Sequence, residues 1–408
     1  MKNDLSFEVI VIGGGAAGFF SAINIAILNP ELSVLILERG SEGLQKVKIS
    51  GGGRCNVTHA QFIPSELTTN YPRGEKELLG PFHEYMTGDT MEWFEERGIE
   101  LKIEEDGRVF PVSNSSQTII DCFINEANRL NIQILYNHSV KSISKKEDQW
   151  LVNTDNSDFC CNKILVTTGS NPKIWNLMDQ LNHTIIKPVP SLFSFDIKDD
   201  RINSIPGVVV EDVEVSVVNS KLSTDGPLLI THKGLSAPSI LKLSAFGALE
   251  LASMDYQFNI SINFIKTSYN ECLSQLKLIK SDMSKKMVVN HSLFDIPKRL
   301  WKELVLYSGI ETNTTWADIN KSQLNELSIQ LTSSIFKVKG KSTFKEEFVT
   351  AGGVDLKEIN FKTFESKINP NLFFAGEILN IDAVTGGFNF QNAWTGAYIA
   401  SKSISDFS

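Results

Sequence analysis

Phe7-Glu8-Val9-Ile10-Val11-Ile12-Gly13-Gly14-Gly15-Ala16-Ala17-Gly18 decides how the rest of the chain is read. The apolar run before Gly13 predicts a buried strand. The glycines at 13, 15 and 18 then occupy the three positions of a dinucleotide turn. In such a turn the first glycine permits the bend, the second lets a pyrophosphate approach the backbone, and the third lets helix pack on strand. A helix is predicted over 17–28 and a second strand over 34–37, with Glu38 twenty residues after Gly18. A carboxylate at that spacing accepts the hydroxyls of an adenosine ribose and disfavours a 2′-phosphate. Arg39 beside it joins the expected contact set, as do Ala16 and Ala17, where the helix start offers unpaired N–H groups to the pyrophosphate. Three glycines alone would suit any tight turn, but strand, helix and acid together make this one a nucleotide site.

The 408 residues are 42% hydrophobic and 21% charged, which predicts an ordinary globular chain of two or three domains. A net charge of −9 argues against nucleic acid as a partner. Five cysteines without CxxC or zinc spacing exclude a disulfide framework and suit a reducing compartment. The stretch 9–28 is uncharged, yet Gly13 to Gly15 would break a membrane helix and Met1-Lys2-Asn3-Asp4 is not strongly basic. The expectation is a cytoplasmic protein without a membrane partner, bound metal or assigned oligomeric state.

Ser50-Gly51-Gly52-Gly53-Arg54-Cys55-Asn56 is the second unusual stretch, a loop whose backbone can approach a flat or anionic ligand with free N–H groups. Helices are predicted over 87–97 and 116–130, a hairpin around Asp106-Gly107, and a strand over 133–136. A three-stranded meander follows over 140–143, 150–154 and 159–161, with Val140 at its head expected on the cofactor. Ile164-Leu165-Val166-Thr167-Thr168-Gly169 reads as a buried strand. Ligands lie at the carboxyl ends of parallel strands, so Thr168 and Gly169 are expected near Gly13.

From 188 the texture changes. Pro188-Val189-Pro190 and the alternating runs 207–218 and 256–264 predict antiparallel strands, with helices over 237–251, 268–281, 297–307 and 320–331. The reading is a dinucleotide-binding α/β domain in two pieces, 1–187 and 341–408, around an inserted domain at 188–340 that is part barrel-like and part helical. His232, alone in a loop, reads as structural rather than as a base. Near the end, a short strand closes on Gly376-Glu377, Asp382 follows, and Thr385-Gly386-Gly387-Phe388-Asn389-Phe390-Gln391 opens a last helix. A second glycine-rich helix start implies a long, two-ended ligand; were a flavin ring its far end, this N-terminus would face the ring's N1 and C2 carbonyl.

Together these residues resemble the aminoacetone-oxidase-like family of FAD flavoproteins, also called the BaiN or YhiN group. The resemblance runs through Gly13 to Gly18, Ser50 to Asn56, Thr231-His232-Lys233-Gly234-Leu235-Ser236, Glu365-Ser366-Lys367, and Phe374-Ala375-Gly376-Glu377 to Gln391. The chain departs from it at Ala237, where the family usually carries glycine. The resemblance implies a discontinuous, Rossmann-like FAD domain with a barrel-plus-helical insert, and either amine oxidation or reduction of unsaturated steroid acids.

The expected function is that of an FAD-dependent oxidoreductase moving hydride between a small-molecule substrate and the flavin, in a cleft between the domains. Such chemistry needs no nucleophile, and the sequence has no Ser-His-Asp set, no HExxH and no His/Cys cluster, so no catalytic side chain is assigned. With a single GxGxxG, NAD(P)H would dock transiently rather than in a domain of its own. An NAD(P)H-fed reductase of an unsaturated or carbonyl compound stands beside an O2-using amine oxidase. A third alternative is a binding module in which FAD is structural and an acidic insert recruits a macromolecule. Cys55 is not expected to be a redox partner of the flavin.

Overall fold

A computed structural model describes residues 5–342 and 349–406. They fall into two compact units, one running to Val189 and resuming at Val349, the other beginning at Pro190.

The elements of the first unit that bear on the site are β1 (Leu5–Ile12), α1 (Ala16–Leu28), β2 (Val34–Leu37), β3 (Gln133–Leu135), β4 (Asp158–Val166), β5 (Leu372–Phe374) and α2 (Phe388–Ser405). The five strands form a parallel core in the order β5-β4-β1-β2-β3. Val9 to Ile12 and Val34 to Leu37 are buried without alternation, as in a sheet covered on both faces. α1 and α2 pack on this sheet, and Phe20 joins them through ring contacts with Trp394 at 5.2 Å and Trp93 at 4.7 Å.

One sequence expectation changes here. The segments read as separate strands at 159–161 and 164–169 are one strand, β4. β1 pairs parallel with it along its whole length, while on its other edge the first half pairs antiparallel with Gln149–Thr154 and the second half parallel with β5. Asn162-Lys163 breaks the apolar pattern like a turn, but Lys163 stays in the strand and its Nζ donates to the Ile404 carbonyl at 2.8 Å. The residues leading into the Ser50 loop, without an assigned element in the sequence reading, are helical from Gln45, and the backbone leaves helical geometry from Ser50.

The second unit is built on a closed six-stranded barrel: Ser194–Ile197, Gly234–Ser236, Ser223–Ile230, Val209–Val217, Phe258–Asn263 and Ser334–Ser342. Val213, Val215 and Val217 point inward and alternate with more exposed residues, the period-2 pattern of an antiparallel strand. The helices Tyr269–Asp282, Lys298–Tyr307 and Lys321–Thr332 extend the same core around Trp301 and Trp316. The helix read over 237–251 is broken at Gly247 into Pro238–Phe246 and Ala248–Ser253. Arg201, 3% exposed, is neutralised by Asp199 and bonds Gln330 Oε1, Ser334 Oγ and the Ile335 carbonyl, so its buried charge is fully paired. Ala237 sits at φ +81°, the left-handed geometry that the family's usual glycine adopts without a Cβ penalty. Among the described residues no helix is long and apolar enough to cross a membrane.

Candidate functional site

The site grows from the carboxyl ends of β1, β2 and β4. Gly13 takes φ +110°, and a Cβ there would lie 2.9 Å from the Thr167 carbonyl carbon. Thr167 braces the turn, its Oγ1 donating toward the Gly13 carbonyl at 2.9 Å and the Ile12 carbonyl at 3.1 Å. A Cβ on Gly18 would come within 1.9 Å of the Gly13 carbonyl oxygen, so only glycine lets α1 cross the turn. Gly15 differs. It caps α1 at φ −93°, has no side-chain cap, and nothing stands within 4 Å of where its Cβ would be. That open backbone next to unpaired helix N–H groups is the cradle a pyrophosphate needs.

Glu38, at the end of β2, accepts from the Gly14 N–H at 2.8 Å and the Gly40 N–H at 2.7 Å. Each carboxylate oxygen keeps further acceptor capacity. Beside it opens a shallow depression lined by Gly13, Glu38, Arg39, Val140 and Thr168 among the expected residues, and by His138, Ser139, Asn171 and Lys173, which sequence reading missed. Their distance along the chain hides them, because only the parallel packing of β1, β2 and β4 brings 138–140 and 168–173 to Glu38. Thr168 Oγ1 is buried without a hydrogen-bond partner, as is Asn56 Oδ1. Such orphans in a native fold mark places where a bound group completes the bonding.

The Ser50–Asn56 stretch holds Gly51, Gly52 and Gly53 at φ +56°, +68° and +84°, and nothing lies within 4 Å of a Cβ on Gly52 or Gly53. Ser50 Oγ donates to the Val47 carbonyl, and Arg54 pairs with Glu104 at 2.7 Å while lying over the Phe110 ring. Cys55 is fully buried at φ +59°, and burial pushes its thiol up to about 12. A thiol so protonated at neutral pH offers no thiolate. Gly169 takes φ +61° after Thr168.

In the return segment the residues expected on the cofactor also make bonds within the chain. Gly376 lies against Ala17 and Ala393 at ordinary contact, and Glu377 pairs with Lys46. Asp382, wholly buried, is held by Arg73. Asn389, expected on the cofactor, is spent on Ala383: its Oδ1 accepts from the Ala383 N–H and its Nδ2 donates to the Ala383 carbonyl. Gln391, expected there too, is buried among three threonines, accepting from Thr58 and Thr90 and donating to Thr395. Both side-chain amides are thereby paired within the chain at the buried start of α2. Phe388 stacks on His59, whose Nδ1 donates to the Gly386 carbonyl at 3.0 Å. Gly386 and Gly387 take φ +132° and +96°, and a Cβ on Gly387 would meet the Thr58 carbonyl at 2.6 Å and Asn56 Oδ1 at 2.9 Å. His232, in the second unit, is exposed in the turn Thr231 to Gly234.

Residues 7–403 match the HI0933-like protein Rossmann domain. The chain belongs to that family. It is 27% identical over 412 aligned positions, 98% of each chain, to the ribosomal RNA dihydrouridine synthase of Haemophilus influenzae. It is 23% identical to the 3-dehydro-bile acid delta(4,6)-reductase of Clostridium scindens, over 97% of this chain and 98% of that one. Among solved structures, the 3-ketosteroid-delta4-(5alpha)-dehydrogenase of Rhodococcus jostii superposes with a TM-score of 0.52 at 12% identity, covering 99% of this chain and 98% of that chain. The chain is therefore an FAD-dependent oxidoreductase of the BaiN/YhiN type. The open glycine cradles and the buried orphan oxygens of Thr168 and Asn56 fit that cofactor.

Proposed function

We propose that this protein reduces a carbon–carbon double bond conjugated to a carbonyl, and that its substrate is the uracil ring within ribosomal RNA. The observation that supports this best is coverage. The relatives match over 97–98% of this chain, so the likeness includes the barrel-and-helix unit as well as the nucleotide turn. Their named activities share one bond type. Uracil carries its reducible double bond next to a carbonyl, and a 3-oxo steroid with unsaturation at position 4 does the same.

FAD, when bound, supplies the hydride such a reduction needs. In this reading the chain's own part is to bind and orient. The Gly13–Gly18 turn, Glu38 and the depression beside it take the adenosine and pyrophosphate end; the open backbone at Gly52 and Gly53, with Asn56, takes the ring end. Cys55 stays a neutral thiol throughout. NAD(P)H is the proposed donor: one molecule and one proton are consumed as one double bond becomes single. The negative net charge had argued against nucleic acid, but net charge averages over surfaces that act separately.

The test incubates the FAD-loaded protein anaerobically with NADH or NADPH and an unmodified ribosomal RNA transcript, digests the RNA to nucleosides, and looks by mass spectrometry for dihydrouridine. Its appearance, dependent on the nicotinamide, is the expected result. Flavin that NAD(P)H reduces and a free steroid enone reoxidises, with RNA left unchanged, would replace RNA by a small-molecule substrate. Flavin reduced by primary amines alone would overturn the reductase reading.

A further inference from the structure

The insert is not acidic, contrary to expectation. Residues 190–348 hold 18 Lys and Arg against 18 Asp and Glu, so the whole net charge of −9 lies in the FAD unit. Within the insert the basic residues gather between 277 and 302. Lys277, Lys285, Lys286, Lys298, Arg299 and Lys302 are all exposed there, against the acids Asp282 and Asp295. None of the six stands in an ion pair among the described residues. Two cations of the stretch bond backbone: Lys280 Nζ donates to the Ala317 and Ile319 carbonyls, and the Arg299 guanidinium donates to the Ser204 and Pro206 carbonyls at 3.4 Å, which leaves the other lysines as the unpartnered charges among the described residues.

The fold draws most of these cations together. The Trp301 indole N–H, in the first turns of the helix Lys298–Tyr307, donates to the Val288 carbonyl at 2.9 Å. That contact packs the turn Val288–Asn290, which directly follows Lys285 and Lys286, against the helix that carries Lys298, Arg299 and Lys302. The helix has no acid in its first turn, and Glu303 beyond it accepts from Ser204 Oγ at 3.4 Å. Cations at the positive end of a helix dipole cost about 0.3–1 kcal/mol each, so this arrangement adds unfavourable charge to an already positive end. No ion pair among the described residues offsets it, whereas a chain of phosphates would, by contributing negative charge and releasing counterions.

We infer that the Lys285–Lys286 turn and the start of the helix Lys298–Tyr307 form a docking surface for the RNA phosphate backbone. This rests on the RNA-uracil reading above and adds where the polymer is held. Lysines on a helix and a turn, without an aromatic platform among them, read phosphate rather than base. Binding here is accordingly sequence-tolerant and strongly salt-dependent.

The test uses the full-length, FAD-loaded protein and a fluorescein-labelled uridine-containing stem-loop RNA, with affinity measured by polarisation across a salt series. The variant K285Q/K286Q/K298Q/K302Q should bind the RNA at least tenfold more weakly. Its slope of log affinity against log salt should be shallower by about three, at roughly 0.7–0.9 for each phosphate no longer neutralised. FAD content and thermal midpoint should match the wild type, and the same four positions changed to arginine should retain affinity. An unchanged affinity or slope would overturn the docking surface, as would a preference for phosphatidylserine vesicles over RNA. The two readings fail separately: dihydrouridine formed with an unchanged slope refutes only the docking, whereas lysine-dependent RNA binding without dihydrouridine refutes only the reductase.

Discussion

Gly13 to Gly18 and Gly386 to Phe388 look alike in sequence, each a glycine-rich start to a helix, yet they use glycine for opposite ends. At the first, the turn is tight at Gly13 and Gly18 but open at Gly15, where nothing lies within 4 Å of a Cβ. At the second, both glycines are filled by the protein itself, Gly386 against Phe388 and His59, Gly387 against Thr58 and Asn56. One glycine leaves room for a ligand and the other leaves room for a strand. A motif tells that the backbone is crowded or bent, not what crowds it.

The largest effect that tests this contrast is expected at Gly18→Ala. The 1.9 Å approach to the Gly13 carbonyl has no side chain to yield, so helix and turn must part. Purified protein should carry no flavin by absorbance and should unfold earlier by an amount equivalent to about 3 kcal/mol, the upper range for overpacking.

Gly387→Ala and Gly15→Ala then separate the two uses. At 387 the new methyl meets the Thr58 carbonyl at a residue with φ +96°, so thermal stability should fall by about 1–3 kcal/mol. At 15 the backbone is already in a region alanine accepts, so stability should hold while FAD affinity, measured by titration of the apoprotein, drops tenfold or more. Equal losses of stability at both positions would erase the distinction. The same close approach makes Gly387→Val a test of packing before it is a test of flavin potential.

Glu38→Ala sits between these cases. The carboxylate accepts two backbone N–H groups as well as facing the depression, so the change should weaken FAD binding and also cost about 1–3 kcal/mol of stability by leaving donors unpaired. Stability equal to wild type in the apoprotein would show that water replaces the carboxylate freely.

The smallest effect is expected far from either glycine turn. His183, 1% exposed, donates through Nδ1 to the Glu358 carboxylate at 3.0 Å and is bonded through Nε2 with Ser366 Oγ at 3.1 Å, tying the return segment to the rest of its unit. Burial lowers its pKa below the ordinary histidine value, and Glu358 opposes that only in part. The unfolded chain therefore binds the proton more readily. Stability should be complete above about pH 6.5 and decline as pH falls below it toward the lowered folded value. Melts at pH 8 and pH 5 should show a larger drop for wild type than for His183→Asn, and identical drops would remove His183 from the account.

The first βαβ unit was legible because its signals are local: strand, glycines, helix and acid lie within 32 residues, and each constrains its neighbour's backbone directly. The barrel-plus-helical insert was legible for a similar reason, as the inward Val213, Val215 and Val217 keep their period of two. Glu365-Ser366-Lys367 was conspicuous in sequence without a use; in the fold Glu365 accepts from Asn371, Ser366 contacts His183 and Lys367 reaches the Lys357 carbonyl, a clasp rather than a reacting group.

What the amino-acid sequence by itself determined is the backbone's local character, including the cofactor class through the spacing from Gly13 to Glu38. Only the tertiary structure decided which polar groups remain free for a ligand. Asn389 and Gln391 find protein partners, whereas Thr168 Oγ1 and Asn56 Oδ1 do not. It also decided that His138 and Lys173 flank Glu38, and that Trp301 packs on Val288, two residues after Lys286. The physical reason is that a buried hydrogen bond is claimed by whichever partner packing brings within about 3 Å. Packing across more than a hundred residues leaves no periodic trace along the chain.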